Sequence, residues 1–173
     1  MALIWITGSP GTGKTAVVKA LKAQGFEAFD ADHDGFRVWR RRDTGEKVGF
    51  PGWPVPIGWH EAHYMPIERS RVEALSSKSG LIFLSGSVEN ENEVWDLFTA
   101  VVCLVLGNAA LRRRLAARPD AYGKAPDELV SILRQNRTCE ATYRDFGAAI
   151  IDARQPLKAV VKDVLQVAAQ HMF

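Results

Sequence analysis

The stretch that decides the fold is Ala2-Leu3-Ile4-Trp5-Ile6-Thr7-Gly8-Ser9-Pro10-Gly11-Thr12-Gly13-Lys14-Thr15-Ala16. Its first six residues form a continuous apolar run rich in β-formers, which predicts a strand buried on both faces. Val17, Val18 and Leu21 then fall on one side at helical spacing, with Gly25 as a stop, so a helix is expected over Lys14 to Ala23. Between the two, Gly8 to Thr15 fits G-x-x-x-x-G-K-[ST] in full. Glycines at these places let backbone N–H groups turn inward as an anion cradle, and the following helix adds its positive N-terminus. In such a loop the Lys14 ammonium reaches toward β- and γ-phosphates and the Thr15 hydroxyl joins the shell of a magnesium ion. The expected nucleotide-binding residues are therefore Gly8, Ser9, Pro10, Gly11, Thr12, Gly13, Lys14, Thr15 and Ala16.

Downstream, Phe26 to Phe29 reads as a second short strand running into Asp30-Ala31-Asp32-His33-Asp34-Gly35. If the chain stays extended past the strand, Asp30 and Asp32 face the same side. One carboxylate then serves the metal, and the other accepts a proton from a substrate hydroxyl. Asp34-Gly35 also fits an ordinary turn. Further strands are expected at Leu81–Leu84, Val101–Leu106 and Gly147–Ile151. Helices are expected at Ile67–Leu75, Glu91–Leu97, Ala109–Ala117, Asp127–Tyr143 (with Asp127 as cap) and Leu157–Ala169. Strands alternating with helices imply a parallel sheet covered on both faces, with its ligand site at the carboxyl ends of the strands.

Composition narrows the class. One domain accounts for 173 residues, of which 47% are apolar and 24% charged, ordinary usage for a folded soluble chain. The 22 basic and 20 acidic residues leave a net charge of +2, too mild for bulk nucleic-acid binding. No apolar run is long enough to cross a bilayer or serve as a secretory leader. Two cysteines, Cys103 and Cys139, make no disulfide framework and read as packing residues. A reduced, cytoplasmic protein is expected, either monomer or homodimer.

A phosphate loop near residue 1 followed by Phe-Asp-x-Asp after strand two resembles the small-molecule and nucleoside monophosphate kinase group of phosphate-loop proteins. The pattern is most similar to shikimate-kinase-like and adenylate-kinase-like proteins. The resemblance implies a three-layer α/β fold with a five-stranded parallel sheet in the order 2-3-1-4-5, in a single domain over residues 1–173. It implies MgATP as phosphoryl donor and a small-molecule hydroxyl as acceptor, with Asp30 beside Mg²⁺ and Asp32 facing the acceptor. There are departures: Ser85 stands where monophosphate kinases carry a metal-linked aspartate, and Ser85-Gly86-Ser87 replaces the triple glycine of shikimate kinases. Gly86 is retained as an acceptor-side candidate. Two other readings stay open, a nucleoside monophosphate kinase and a non-kinase nucleotide-binding regulatory NTPase.

Two further segments are assigned on the same resemblance. Residues 36–66 carry Trp39, Phe50, Trp53, Trp59 and Tyr64 without clear periodicity, and are expected to form the acceptor-binding insert. Trp39, Trp53 and Trp59 suit ring faces, and Arg40 suits an anionic group, with Arg41, Arg42, Arg69 and Arg71 as neighbours of the same type. His60 and His63 lie three apart, not the four of the helical zinc motif, and are read as pocket or surface residues. Residues 112–126 are expected to be the lid, with Arg114 and Arg118 as catalytic cations and Lys124 behind them. Arg154, after the last strand, is expected beside the adenine.

Overall fold

The computed structural model describes residues 2–120 and 122–172. Five parallel strands make the central sheet: β1 (Ala2–Thr7), β2 (Glu27–Asp30), β5 (Leu81–Ser85), β6 (Ala100–Val105) and β7 (Ala149–Asp152). Their order across the sheet is β2-β5-β1-β6-β7. Counted among themselves these five run 2-3-1-4-5, as expected. The two intervening strands, β3 (Arg40–Arg41) and β4 (His63–Tyr64), form a separate antiparallel ribbon inside the insert. That ribbon is a correction to the sequence reading, because two residues are too few for alternation to register.

β1 is the axis of the sheet. It pairs with β5 from Ala2 opposite Leu81 to Ile6 opposite Ser85, and with β6 from Ile4 opposite Ala100 to Thr7 opposite Cys103. All six of its residues are buried, the pattern of a parallel strand covered on both faces. Pleating sends Ile4 and Ile6 to one layer, with Val17, Val18 and Leu21 of α1 (Lys14–Ala23) and Val160, Val161 and Val164 of α6 (Leu157–Ala169). Leu3 and Trp5 go to the other, with Val72 and Leu75 of α3 (Arg69–Ser76) and Val94. Both α1 and α6 keep their expected bounds because their apolar stripes are strong.

Other boundaries moved. The expected helix at Glu91–Leu97 is two 3₁₀ turns, Glu91–Glu93 and Trp95–Leu97. The long helix α5 spans Pro126–Asp145, with Pro126 in its first turn and Asp127 one residue inside instead of capping. A short α2 (Trp59–Ala62) lies within residues 36–66, and α4 (Asn108–Ala117) covers the first part of residues 112–126. No helix among the described residues is long and apolar enough to cross a membrane.

Candidate active site

The loop after β1 is shaped by its glycines. Gly8, Gly11 and Gly13 all adopt positive φ, at 138°, 91° and 105°. A Cβ on Gly8 would stand 2.4 Å from the Leu104 carbonyl oxygen, so the loop lies directly on β6. Ser9 Oγ donates to Asn136 Oδ1 at 2.7 Å, and Asn136 Nδ2 donates to the Leu106 carbonyl at 2.8 Å and to Asn108 Oδ1 at 2.7 Å. One side chain of α5 thus ties the loop to the start of α4. The Thr12 hydroxyl donates back to the Ser9 carbonyl at 2.8 Å, and Ser87 donates to the Gly8 carbonyl.

Lys14 Nζ donates to the carbonyls of Gly8 at 2.7 Å and Ser9 at 3.1 Å. Burial pushes its pKa down to about 8; the Asp32 and Asp30 carboxylates oppose that shift, and the Arg118 charge adds to it. Thr15 Oγ1 donates to Asp30 Oδ2 at 2.7 Å. Asp30 is buried and also accepts from the Asp32 backbone N–H at 3.0 Å. A hydroxyl and a carboxylate side by side at a helix N-terminus are hard oxygen donors that fit magnesium shared with phosphate oxygens. Lys14, Thr15 and the glycine cradle fit the nucleotide.

The chain does not stay extended beyond β2. His33 and Asp34 N–H groups both return to the Asp30 carbonyl, at 3.1 and 2.8 Å, so Asp30 and Asp32 reach the site through a turn. Asp34 closes that turn: it accepts from the Asp30 N–H at 2.8 Å and from Lys22 at 3.2 Å. Those hydrogen bonds outweigh partial burial and hold its pKa below the usual carboxylate value. Asp32 is paired with Arg37, which the sequence reading passed over. The Arg37 Nε donates to the Met65 carbonyl at 2.8 Å, and its side chain is only 13% exposed. A basic residue five positions after Asp32 was the available signal.

The insert's aromatics pack on one another. Trp39 stacks on Phe50 at 5.8 Å and meets Trp59 edge-on at 6.1 Å; Trp53 approaches Phe50 at 5.6 Å, and Trp59 stacks on His63 at 3.7 Å. His60 carries this cluster to the segment before α5, 6.3 Å from Tyr122 between ring centres. Its Nε2 lies 3.4 Å from Glu128 Oε1, ion-pair distance without hydrogen-bond alignment. The arginines are engaged with acids: Arg40 with Glu68, Arg41 with Asp43 and Arg42 with Glu89. A cavity of about 340 Å³ lies on the insert and one of about 290 Å³ between the insert, the start of α3 and Asn90, and no phosphate-loop residue lines either.

From α4, Arg114 donates to the Thr12 carbonyl at 3.1 Å and the Ala153 carbonyl at 2.7 Å, bridging the phosphate loop to the segment after β7. Arg118 holds Asp120 at 2.6 Å, and Arg154 turns its fork onto Asp152 at 2.7 Å. Gly86 lies tight against Trp5: a Cβ there would stand 2.7 Å from the indole. Beneath the loop, Glu91 accepts from Trp5 Nε1 and Thr7 Oγ1, both at 2.9 Å, and from Tyr143. Asn136, Cys139 and Tyr143 share the buried face of α5 with Leu129, Ile132 and Leu133. Polar residues interrupting that apolar stripe were the sequence signal for this network.

No family model matches the chain. It is 26% identical to shikimate kinase 2 of Dickeya chrysanthemi over 178 residues, covering 94% of each chain. Among solved structures it is similar to a shikimate kinase from Acinetobacter baumannii in complex with shikimate, with a TM-score of 0.64, 20% identity and coverage of 100% and 96% of the two chains. A gluconokinase from Sinorhizobium meliloti 1021 superposes at a TM-score of 0.57 with 18% identity, covering 98% and 92%. The sheet order and these likenesses show that the chain has the fold of the shikimate kinase and gluconokinase structures, with a complete phosphate loop at the end of β1.

Proposed function

We propose that the protein transfers the γ-phosphoryl of MgATP to a hydroxyl of a small-molecule acceptor. One observation carries the reading: Lys14, the Thr15–Asp30 pair and the Arg37-bound Asp32 converge at the ends of β1 and β2. Lys14 stabilises charge on the transferring group. Thr15 and Asp30 would hold the magnesium ion, which would supply positive charge against the developing negative charge of the phosphates. Asp32 orients the acceptor hydroxyl and takes its proton. Arg118 completes the charge clamp from the lid, within the electrostatic reach of Lys14. Arg114, which bridges the Thr12 and Ala153 carbonyls, adds its charge beside the phosphates, Arg154 borders the nucleotide base, and Gly8 to Ala16 cradle its phosphates.

Trp39, Trp53 and Trp59, with Arg40 and Gly86, border the acceptor side. Residues 36–66 act as the acceptor insert and 112–126 as the lid. Contact of His60 with Tyr122 supports closure of one on the other, which excludes water from the transfer. The relatives named as shikimate kinases and gluconokinase make polyhydroxylated acids the first acceptors to try. Pairing of Arg40, Arg41 and Arg42 with acids weakens the nucleoside monophosphate alternative.

The test is ATP consumption with Mg²⁺ against shikimate, gluconate, neutral sugars, aminoglycosides and nucleoside monophosphates, with Lys14→Ala and Asp32→Asn as controls. Stimulation by one acceptor, lost in both variants, is expected. Slow hydrolysis that no acceptor stimulates and Asp32→Asn leaves intact would replace transfer with a regulatory NTPase.

A further inference from the structure

Two thiols that phosphoryl transfer does not use lie side by side beneath the phosphate loop. Cys103 stands opposite Thr7 in the β1–β6 pairing and is fully buried. Cys139 is on α5, half-buried, one turn beyond the Asn136 that holds Ser9. Their sulfurs are 3.8 Å apart, already in contact. A disulfide needs about 2 Å. The two sulfurs are not equivalent. The contact with Cys103 holds the Cys139 thiol below the usual cysteine range against its own burial, with the nearby Ser9 and Lys14 adding to it. The Cys139 sulfur and burial push Cys103 up. The more accessible sulfur is thus also the better nucleophile.

We propose that Cys103 and Cys139 form an oxidation site, converted to a disulfide by a hydroperoxide, and that the bridge weakens nucleotide binding at the adjoining loop. The proposal rests on the nucleotide-binding reading of that loop. In the first step the Cys139 thiolate attacks one oxygen of hydrogen peroxide. The O–O bond breaks, Cys139 becomes a sulfenic acid, and the departing hydroxide takes a proton to become water. In the second, Cys103 gives up its proton and its sulfur displaces hydroxide from the Cys139 sulfur. An S–S bond forms and a second water leaves. Two thiols lose two electrons and two protons, and one peroxide becomes two waters.

Drawing the sulfurs together draws α5 toward β6. Asn136 moves with α5, and its bonds to Ser9, Leu106 and Asn108 are the tie between the loop and α4. The loop has no slack on its other side, since Gly8 lies against the carbonyl of Leu104, the residue after Cys103. Closing the sulfurs from 3.8 Å to a bonding distance of about 2 Å therefore misdirects the cradle N–H groups.

The experiment uses the full chain. Hydrogen peroxide is added, free thiols are counted by alkylation and mass spectrometry, and a fluorescent ATP analogue with Mg²⁺ is titrated before oxidation, after it, and after dithiothreitol. Both thiols are expected to disappear together with a mass loss of two hydrogens. Affinity should fall about tenfold or more and return with dithiothreitol. Cys139→Ser should keep its affinity under peroxide. Cys103→Ser should leave a sulfenic acid on Cys139 that dimedone traps; if that variant does not fold, wild type and Cys139→Ser decide the matter. Thiols that both remain alkylatable in excess peroxide, or a bridged protein that binds within about twofold of the reduced one, would overturn the proposal. A reduced protein that binds no analogue would instead sink the nucleotide reading, and this proposal with it.

Discussion

Thr15 Oγ1 sits 2.7 Å from Asp30 Oδ2, joining the first turn of α1 to the last residue of β2. The bond fixes two oxygen donors at one point beside the phosphate loop, before any ion arrives. Thr15→Val and Asp30→Asn are each expected to lower kcat/KM by about 100-fold, the scale for removing one preorganised electrostatic group. The loss should be larger in Mg²⁺ than in Mn²⁺ if the pair acts on the metal. Steady-state kinetics in the two metals checks this, and equal loss in both would assign the pair a structural role only.

Lys14 makes nucleotide binding sensitive to pH. Its pKa in the folded chain is about 8, against 10.5 for the free side chain, because burial disfavours the ammonium. Between those values the unfolded chain binds more protons, so the stability of the nucleotide-free protein rises with pH across the window. Phosphates beside Lys14 restore its charge, so MgATP binding should take up a fraction of a proton near pH 8. Calorimetry in two buffers of different ionisation enthalpy measures that uptake. Lys14→Met should abolish it, and an uptake unchanged in that variant would assign the proton elsewhere.

The Asn136 side chain satisfies Ser9, Leu106 and Asn108 at once. Asn136→Ala leaves those groups without it and is expected to cost about 1–3 kcal/mol of stability. It should also weaken ATP-analogue binding while leaving the secondary structure intact. Denaturant unfolding and a binding titration read the two effects. Loss of stability alone would confine Asn136 to holding α4 and α5 together.

Gly86 is tested by adding one carbon. A Cβ there meets Trp5 at 2.7 Å and the Ala31 methyl at 3.1 Å, and both neighbours are fully buried. Gly86→Ala should therefore destabilise by about 1–3 kcal/mol, as overpacking does. Trp5 fluorescence and the thermal midpoint report it. A variant of unchanged stability and lost transfer would show that the acceptor, and not Trp5, requires glycine at this place.

Much of the architecture is local or periodic, and the amino-acid order alone determined it. The β1 run, the G-x-x-x-x-G-K-T loop and the apolar stripes of α1 and α6 each need only neighbours within a few residues. The strand–helix alternation then leaves few sheet topologies. The partners of the polar side chains belong to another level. Ser9 and Asn136 are 127 positions apart and Cys103 and Cys139 are 36 apart. Arg37 finds Asp32 only because the chain turns back after β2. A residue type states what a group can bond to, and spacing states which side of an element it occupies. Which buried group lies opposite is decided when the layers close on the sheet, because only then must each donor and acceptor removed from water find a mate.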